Sequence, residues 1–271
     1  MPELPEVETS RRGIEPHIIN QTVNDVIVRQ RQLRWPIPAT LKKHLIGQSI
    51  QAVGRRGKYL LLYTQAGTVI IHLGMSGSLR ICPSSSAAEK HDHIDIVFAN
   101  QKTLRLRDPR RFGCVLFSRK DPLEHKLLNS LGPEPLSSEF DAEYLYLSTR
   151  NRKAAIKSVI MDSHVVVGVG NIYANESLFM SGINPKRSAN KVSLQRYKIL
   201  VAEIKTVLSA AIKQGGTTLK DFTREDGQPG YFQQTLSVYG KHNKPCPQCS
   251  RPIRMIRQQQ RTSYYCPHCQ R

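Results

Sequence analysis

The chain reads as an α+β protein of several domains: an N-terminal β-sandwich or barrel fronted by a helix, a helical middle, and a small C-terminal zinc ribbon. Three observations predict it. Apolar positions alternate through the first ~130 residues, the spacing changes to three and four after a proline-rich break, and two Cys-x-x-Cys pairs close the sequence.

The start departs from the strand pattern. Pro5 suits a first helical turn, and Glu6 and Glu8 suit the positive end of a helix dipole, so a helix is expected to run toward Gly13. Strand candidates follow at Val23 to Val28, Tyr59 to Tyr63 and Thr68 to His72. Ile94, Ile96 and Phe98 alternate along another, and Leu104 and Leu106 along the next, after a turn near Asn100. Leu131-Gly132-Pro133-Glu134-Pro135 should end regular structure and supply a linker. Beyond it the clearest helix covers roughly Ser193 to Gln214, where Leu194, Tyr197, Val201, Ile204, Leu208 and Ala211 form a core stripe and Gly215-Gly216 the stop. Thr217 to Gly230 is polar and holds Asp226-Gly227 and Pro229-Gly230, which predicts a mobile loop. The expected domains are 1–131, 136–236 and 237–271.

Charge narrows the partner. Lys and Arg number 40 against 21 Asp and Glu, a formal net charge of +19, which points to a polyanion and first to nucleic acid. An anionic membrane surface is the competing reading, but the chain has no run of 18 apolar residues and no evident basic amphipathic helix. Its opening is acidic and proline-rich where a secretory signal would be basic and then apolar, so a cytoplasmic protein is expected.

Six cysteines divide into two kinds. Cys82 and Cys114 stand alone and read as small core residues. Cys246-x2-Cys249 and Cys266-x2-Cys269, sixteen residues apart, suggest one zinc ion before any disulfide in a reducing compartment. Four thiolates leave no open coordination position, so the ion should be structural and catalysis must lie elsewhere. Pro252 to Tyr265 is long enough for a two-stranded hairpin, and a module this small should fold only around its metal. A clip that merely closes the fold is the plainer alternative. Arg251, Arg254, Arg257 and Arg261, in a stretch (241–271) with seven Lys or Arg and no Asp or Glu, favour phosphate contact.

Gly168-Val169-Gly170-Asn171 lacks the third glycine of a dinucleotide-binding loop and sits in no βαβ unit. It fits a turn between helices whose amides and Asn171 side chain hold a phosphate. At the other end, Met-Pro is a common start, and the acidic residues after it could do no more than complement a helix dipole. Removal of Met1, however, would expose Pro2 as a secondary amine with a pKa nearer the ~8 of an α-amino group than the ~10.4 of a lysine, neutral enough to be a nucleophile.

Pro2-Glu3-Leu4-Pro5-Glu6-Val7-Glu8-Thr9 resembles the opening of the formamidopyrimidine-DNA glycosylase family. The resemblance recurs at Arg56-Gly57-Lys58-Tyr59-Leu60, His72-Leu73-Gly74-Met75-Ser76-Gly77, Asp108-Pro109-Arg110-Arg111-Phe112-Gly113 and Gly168 through Glu176, and closes on Tyr231-Phe232, Tyr239-Gly240 and the cysteines. It implies a bifunctional enzyme that excises 8-oxoguanine and formamidopyrimidines from duplex DNA and cuts the abasic strand by β,δ-elimination; a monomer is the simplest expectation, since one lesion offers no two-fold symmetric target. By that resemblance Pro2 is the nucleophile, Glu3 the adjacent acid and base with Glu6 in support, Lys58 a proton-transfer and phosphate residue, and Arg261 a phosphate grip that assists δ-elimination. Met75, Arg110 and Phe112 would fill the void left by the extruded nucleotide. His72, His91, Arg152, Lys157, Asn171 and Tyr239 would contact DNA, the middle domain would be a helix-two-turn-helix, and Thr217 to Tyr231 would close over the extruded base.

One departure is visible. Where the family has Arg-x-Thr before the third cysteine, this chain reads Arg261-Thr262-Ser263, which puts only hairpin packing in doubt. A sister enzyme of endonuclease VIII type, preferring oxidised pyrimidines, would be expected to carry Gly where this chain has Leu4. A catalytically silent architectural protein would need only charge and ribbon, and would not need Pro2, Glu3 and Lys58 together.

Overall fold

The computed structural model describes residues 2–216 and 236–271, which form two compact units, one of residues 2–129 with 214–216 and the other of 130–213 with 236–271. The first unit opens with α1 (Leu4–Ile18), whose N-cap is Glu3. Pro5 sits in the first turn, where its missing N–H is no loss. The helix runs past Gly13 because Ile14 and Ile18 continue its apolar side into the core.

Eight strands follow: β1 (Val23–Val28), β2 (Ala52–Arg56), β3 (Tyr59–Thr64), β4 (Gly67–His72), β5 (Ser78–Pro83), β6 (Asp92–Phe98), β7 (Lys102–Arg107) and β8 (Cys114–Ser118), with a short α2 (Leu41–Leu45) after β1. They make two antiparallel sheets ordered β1-β6-β7-β5 and β2-β3-β4-β8. Register puts Val26 opposite Ile96 and Ile96 opposite Leu104 in the first, and Leu60 opposite Ile71 and Ile71 opposite Val115 in the second. These inward residues of both sheets share one core with Val7, Ile14 and Ile18 of α1, which makes the unit a β-sandwich.

Alternation would send Asp95 and Arg105 outward to solvent, yet both are buried. Arg105 donates from Nε to Asp95 at 2.8 Å and to the carbonyls of Ser86 and Ala87, while Arg29 reaches Asp95 at 2.6 Å. Burial pushes the Asp95 carboxyl up, but hydrogen bonds from Arg105 and Arg29 outweigh it and hold the group below the usual range. The arginine thereby fastens the β5–β6 connection that leads into His91.

The second unit holds α3 (Ala142–Thr149), α4 (Ile156–Ile160), α5 (Asn171–Met180) and α6 (Leu194–Lys213), then a hairpin of β9 (Arg254–Gln258) and β10 (Arg261–Tyr265). The α6 stripe buries Tyr197, Val201, Ile204, Leu208 and Ala211, and Gly215 and Gly216 end its run at φ of 77° and 78°. Residues 161–170 make the two turns between α4 and α5, with Gly168 at φ 88°.

Candidate active site and nucleic-acid interface

Pro2 is buried immediately ahead of α1, and the next two acidic residues, Glu3 and Glu6, are each 2% exposed. Glu6 Oε2 accepts the Glu3 amide at 2.8 Å, which fixes the backbone beside Pro2. Gly216 lies against Glu6 so closely that a Cβ there would stand 3.2 Å from Oε1. Glu8 ties the helix to the β2–β3 turn: it takes Arg11, Arg12 and Arg55, the last at 3.0 Å, and Arg55 also donates to the Gly57 carbonyl at 2.9 Å. Lys58 follows in that turn, half-buried.

Tyr59 pairs with His72 across β3 and β4, their rings 4.8 Å apart. Burial, then the charges of Lys58 and Arg34, push the His72 pKa down to about 4, and its Nδ1 accepts the Gly74 amide at 2.9 Å. The imidazole is therefore neutral at physiological pH and would offer DNA a hydrogen bond, not a charge.

Two loops meet beside it. Leu73–Gly77 carries Met75 half-buried, and Asp108–Gly113 carries Arg110 and Phe112 exposed, the Arg110 guanidinium 4.8 Å from the Phe112 ring centre. The Phe112 ring is open to solvent at 46%, a placement that would let it enter a base stack. His91, at φ 76°, accepts the Asp108 amide at its carbonyl over 3.0 Å and so flanks the same loop. Cys114 pairs with His72 across β4 and β8 but is fully buried, and burial pushes its thiol up to about 11.

In the second unit the four ribbon sulfurs lie within 4.8 Å of one another, with Cys249–Cys266 at 3.5 Å and Cys246–Cys269 at 3.9 Å. A zinc tetrahedron with ~2.3 Å bonds has edges of roughly 3.8 Å, so the donor set fits one structural zinc ion. Each Cys-x-x-Cys turn is closed by a backbone bond, Ser250 to Cys246 and Gln270 to Cys266. Cys246 and Cys266 also pack with Phe179, Val238 and Ile253, a core too small to hold without its metal.

Three family models match in order: the formamidopyrimidine-DNA glycosylase N-terminal domain over residues 1–115, its H2TH domain over 131–223, and the zinc finger found in FPG and IleRS over 243–271. The chain belongs to the formamidopyrimidine-DNA glycosylase family. Curated relatives of that name include proteins from Nitrosococcus oceani, 56% identical over 270 residues, and Photobacterium profundum, 57% identical over 271, each covering 100% of both chains. Among solved structures, the Thermus thermophilus MutM (Fpg) protein superposes with a TM-score of 0.89 at 35% identity, covering 99% of this chain and 98% of that one. A point mutant of the Lactococcus lactis Fpg bound to DNA containing Fapy-dG gives 0.93 at 33% identity, with 100% of both chains covered. Members are bifunctional DNA glycosylases and abasic-site lyases, and this chain is a DNA-binding enzyme of base-excision repair.

Most of the glycosylase's expected DNA contacts in the second unit surround its ribbon. Arg261 is exposed at the hairpin, where with Arg152 and Lys157 it lines a cavity of about 410 Å³. Arg152 bonds Asp162 at 3.0 Å. Lys157 is only 2% exposed, and its Nζ donates to the Thr262 carbonyl at 2.9 Å and the Ser263 hydroxyl at 2.7 Å, so it braces the hairpin. Ser263 passes a further bond to Gln258 Oε1 at 2.6 Å, which is the work left to the hydroxyl at the position where the family pattern has Thr. Asn171 opens α5 with Oδ1 buried and accepting nothing from the described residues. Tyr239 lies 5.2 Å from the Tyr264 ring.

Asp108, Asn175 and Glu176 stand inside the sequence motifs but were given no part there. Glu176, 3% exposed, accepts the amides of Ser237, Val238 and Tyr239 at 2.6, 2.9 and 2.8 Å, and Asn175 Oδ1 accepts Tyr264 N at 2.7 Å. The signal for the last two was available: an Asn-Glu pair in a mostly buried helix has to find partners. The expected lesion loop, Thr217 to Tyr231, lies outside the described residues.

Proposed function

We propose that this glycosylase removes oxidised purines, 8-oxoguanine and formamidopyrimidines, from duplex DNA and cleaves the abasic strand by β,δ-elimination through a Schiff base on Pro2, once Met1 is gone. The observation that carries the reading is Pro2 at the head of α1, backed by the buried carboxyl groups of Glu3 and Glu6. Relatives support the substrate class, since the Lactococcus lactis Fpg has been solved with Fapy-dG DNA and with abasic-site DNA.

The neutral proline nitrogen attacks C1′ as the base departs, and ring opening leaves an iminium between Pro2 and the sugar. Glu3 moves the protons that opening requires, and Glu6 holds the backbone beside it. Lys58 takes part in the proton transfer of β-elimination and bonds a phosphate. Arg261 grips phosphate from the hairpin and assists δ-elimination. The sugar reaches an amine only when the nucleotide leaves the stack, so Met75 and Phe112 wedge the gap and Arg110 addresses the widowed base. His72, His91, Arg152, Asn171 and Tyr239 hold the backbone, with Lys157 contributing through the hairpin it braces. Residues 1–131, 136–236 and 237–271 are the corresponding functional modules. The enzyme works as a monomer with the chromosomal DNA in the cytoplasm; none of its described helices is long and apolar enough to cross a membrane.

A second reading extends the range to pyrimidines, because the Lactococcus lactis Fpg was also solved with an oxidised-pyrimidine DNA. Leu4 and the wedge set Met75, Arg110 and Phe112 favour purines. Borohydride trapping on a duplex with 8-oxoguanine opposite cytosine tests the proposal. The processed enzyme should form a covalent adduct, and Pro2→Gly should lose it by at least tenfold. An unprocessed chain that still cleaved at full rate would rule out the amine.

A further inference from the structure

Met75 lies on one loop and Arg110 with Phe112 on another, separated by some 35 residues of chain, yet the backbone gives the two loops no independent freedom. A Cβ on Gly74, which sits at φ +66°, would fall 2.4 Å from the Phe112 carbonyl carbon and 2.4 Å from the Gly113 nitrogen. A Cβ on Gly113 would stand 2.6 Å from the His72 carbonyl oxygen. Peptide rests on peptide, with no side chain between to slip or change rotamer.

One carboxylate fastens this contact. Asp108 has no exposed surface, its Oδ2 accepts the Gly113 amide at 2.8 Å, and its Oδ1 accepts the Ser76 hydroxyl at 3.0 Å. The Arg110 amide reaches both Ser76 Oγ and Asp108 Oδ1 at 3.3 Å. The residue beside Met75 is thereby bonded to the backbone of Arg110 through a single buried side chain. The Asp108 carbonyl in turn meets His93 Nε2 at 2.9 Å, which roots the assembly in β6. Its cost is one desolvated carboxylate, tolerable because several donors converge on it.

We infer that Asp108 is a positioning residue that makes Met75, Arg110 and Phe112 one wedge, inserted into the duplex as a unit during extrusion. This rests on the void-filling part proposed above for those three side chains. A wedge in two independent pieces would lose rotational freedom twice on insertion, and either piece could enter while the damaged base still occupied the stack. Joined, they displace the nucleotide and meet the widowed base in one event.

The test uses the processed enzyme, Asp108→Asn and Ser76→Ala, on two substrates. On a duplex carrying 8-oxoguanine beside a fluorescent 2-aminopurine, both variants should extrude and excise at least tenfold more slowly, and Met75→Ala should add less than twofold to the Asp108→Asn defect. On a single strand with a preformed abasic site no wedge is needed, and borohydride trapping should stay within twofold of wild type, which also reports an intact fold. Ser76→Ala covers the case in which Asp108→Asn fails to fold, since it removes only the bridge. Wild-type extrusion by both variants, or a full additional loss from Met75→Ala, overturns the inference. Failure of the wild-type enzyme to trap the single strand would instead count against the Pro2 chemistry and leave the extrusion measurement standing.

Discussion

His72 illustrates how one residue's surroundings determine what it can do. Its pKa, pushed to about 4 by burial and by Lys58 and Arg34, lies below the ~6.5 of an unfolded histidine, so the unfolded chain binds this proton first as pH falls. The stability that depends on a neutral His72 is intact above pH ~6.5 and is lost as pH drops toward 4, by on the order of 2–3 kcal/mol. Denaturant titrations across that window should show the slope in the wild type, and His72→Asn, which keeps an acceptor for the Gly74 amide, should flatten it. An equal slope in both proteins would mean that folding does not lower the imidazole's proton affinity. The sequence marked His72 as a contact but could not give its charge state, because that depends on burial in the fold and on Lys58 and Arg34 arriving beside it from other elements.

At the scale of elements, the hairpin β9–β10 was expected from the cysteine spacing, yet its turn was not legible. Gln259 and Gln260 occupy the two central positions at φ of 43° and 61°, where two-residue hairpins favour Asn-Gly. Neither residue type announces such a turn, and Lys157 bonds the strand that follows it at Thr262 and Ser263. Gln260→Gly should therefore raise stability by about 0.5–1 kcal/mol in thermal unfolding, with zinc content unchanged. Strands with clean alternation, such as β6 and β7, were readable, and so was the α6 stripe. β2, β5 and β8 were missed: β2 carries Arg55 and Arg56, β5 carries Arg80 and ends on Pro83, and the partners of β5 and β8 are distant in sequence. Asp95 and Arg105 misled in another way, since each is buried by the other.

Across the whole molecule, the zinc ion should decide whether a good part of the DNA-facing surface exists. Lys157 of α4 donates into the hairpin, and Asn175 and Glu176 of α5 accept amides from Tyr264 of the hairpin and from residues 237–239, so these groups would lose ordered partners if the cage opened. Structural zinc contributes roughly 10–16 kcal/mol to small modules, far more than a thirty-residue core can replace. Chelation should release one equivalent of zinc, lower duplex affinity at least tenfold in fluorescence anisotropy, and leave the circular-dichroism signal of the sandwich largely intact. Undiminished affinity after full zinc release would reduce the ribbon to a passive closure. The fold class was legible because period, break and cysteine spacing are all local signals. The bracing within the second unit was not, because it runs between groups more than sixty residues apart.

The backbone contact at Gly74 and Gly113 bears also on how such an enzyme can diversify. What grips the two loops is main chain and one hidden carboxylate, whereas what they carry is half-buried Met75 and exposed Arg110 and Phe112. Descendants could thus exchange those side chains on an inherited mounting that need not itself mutate.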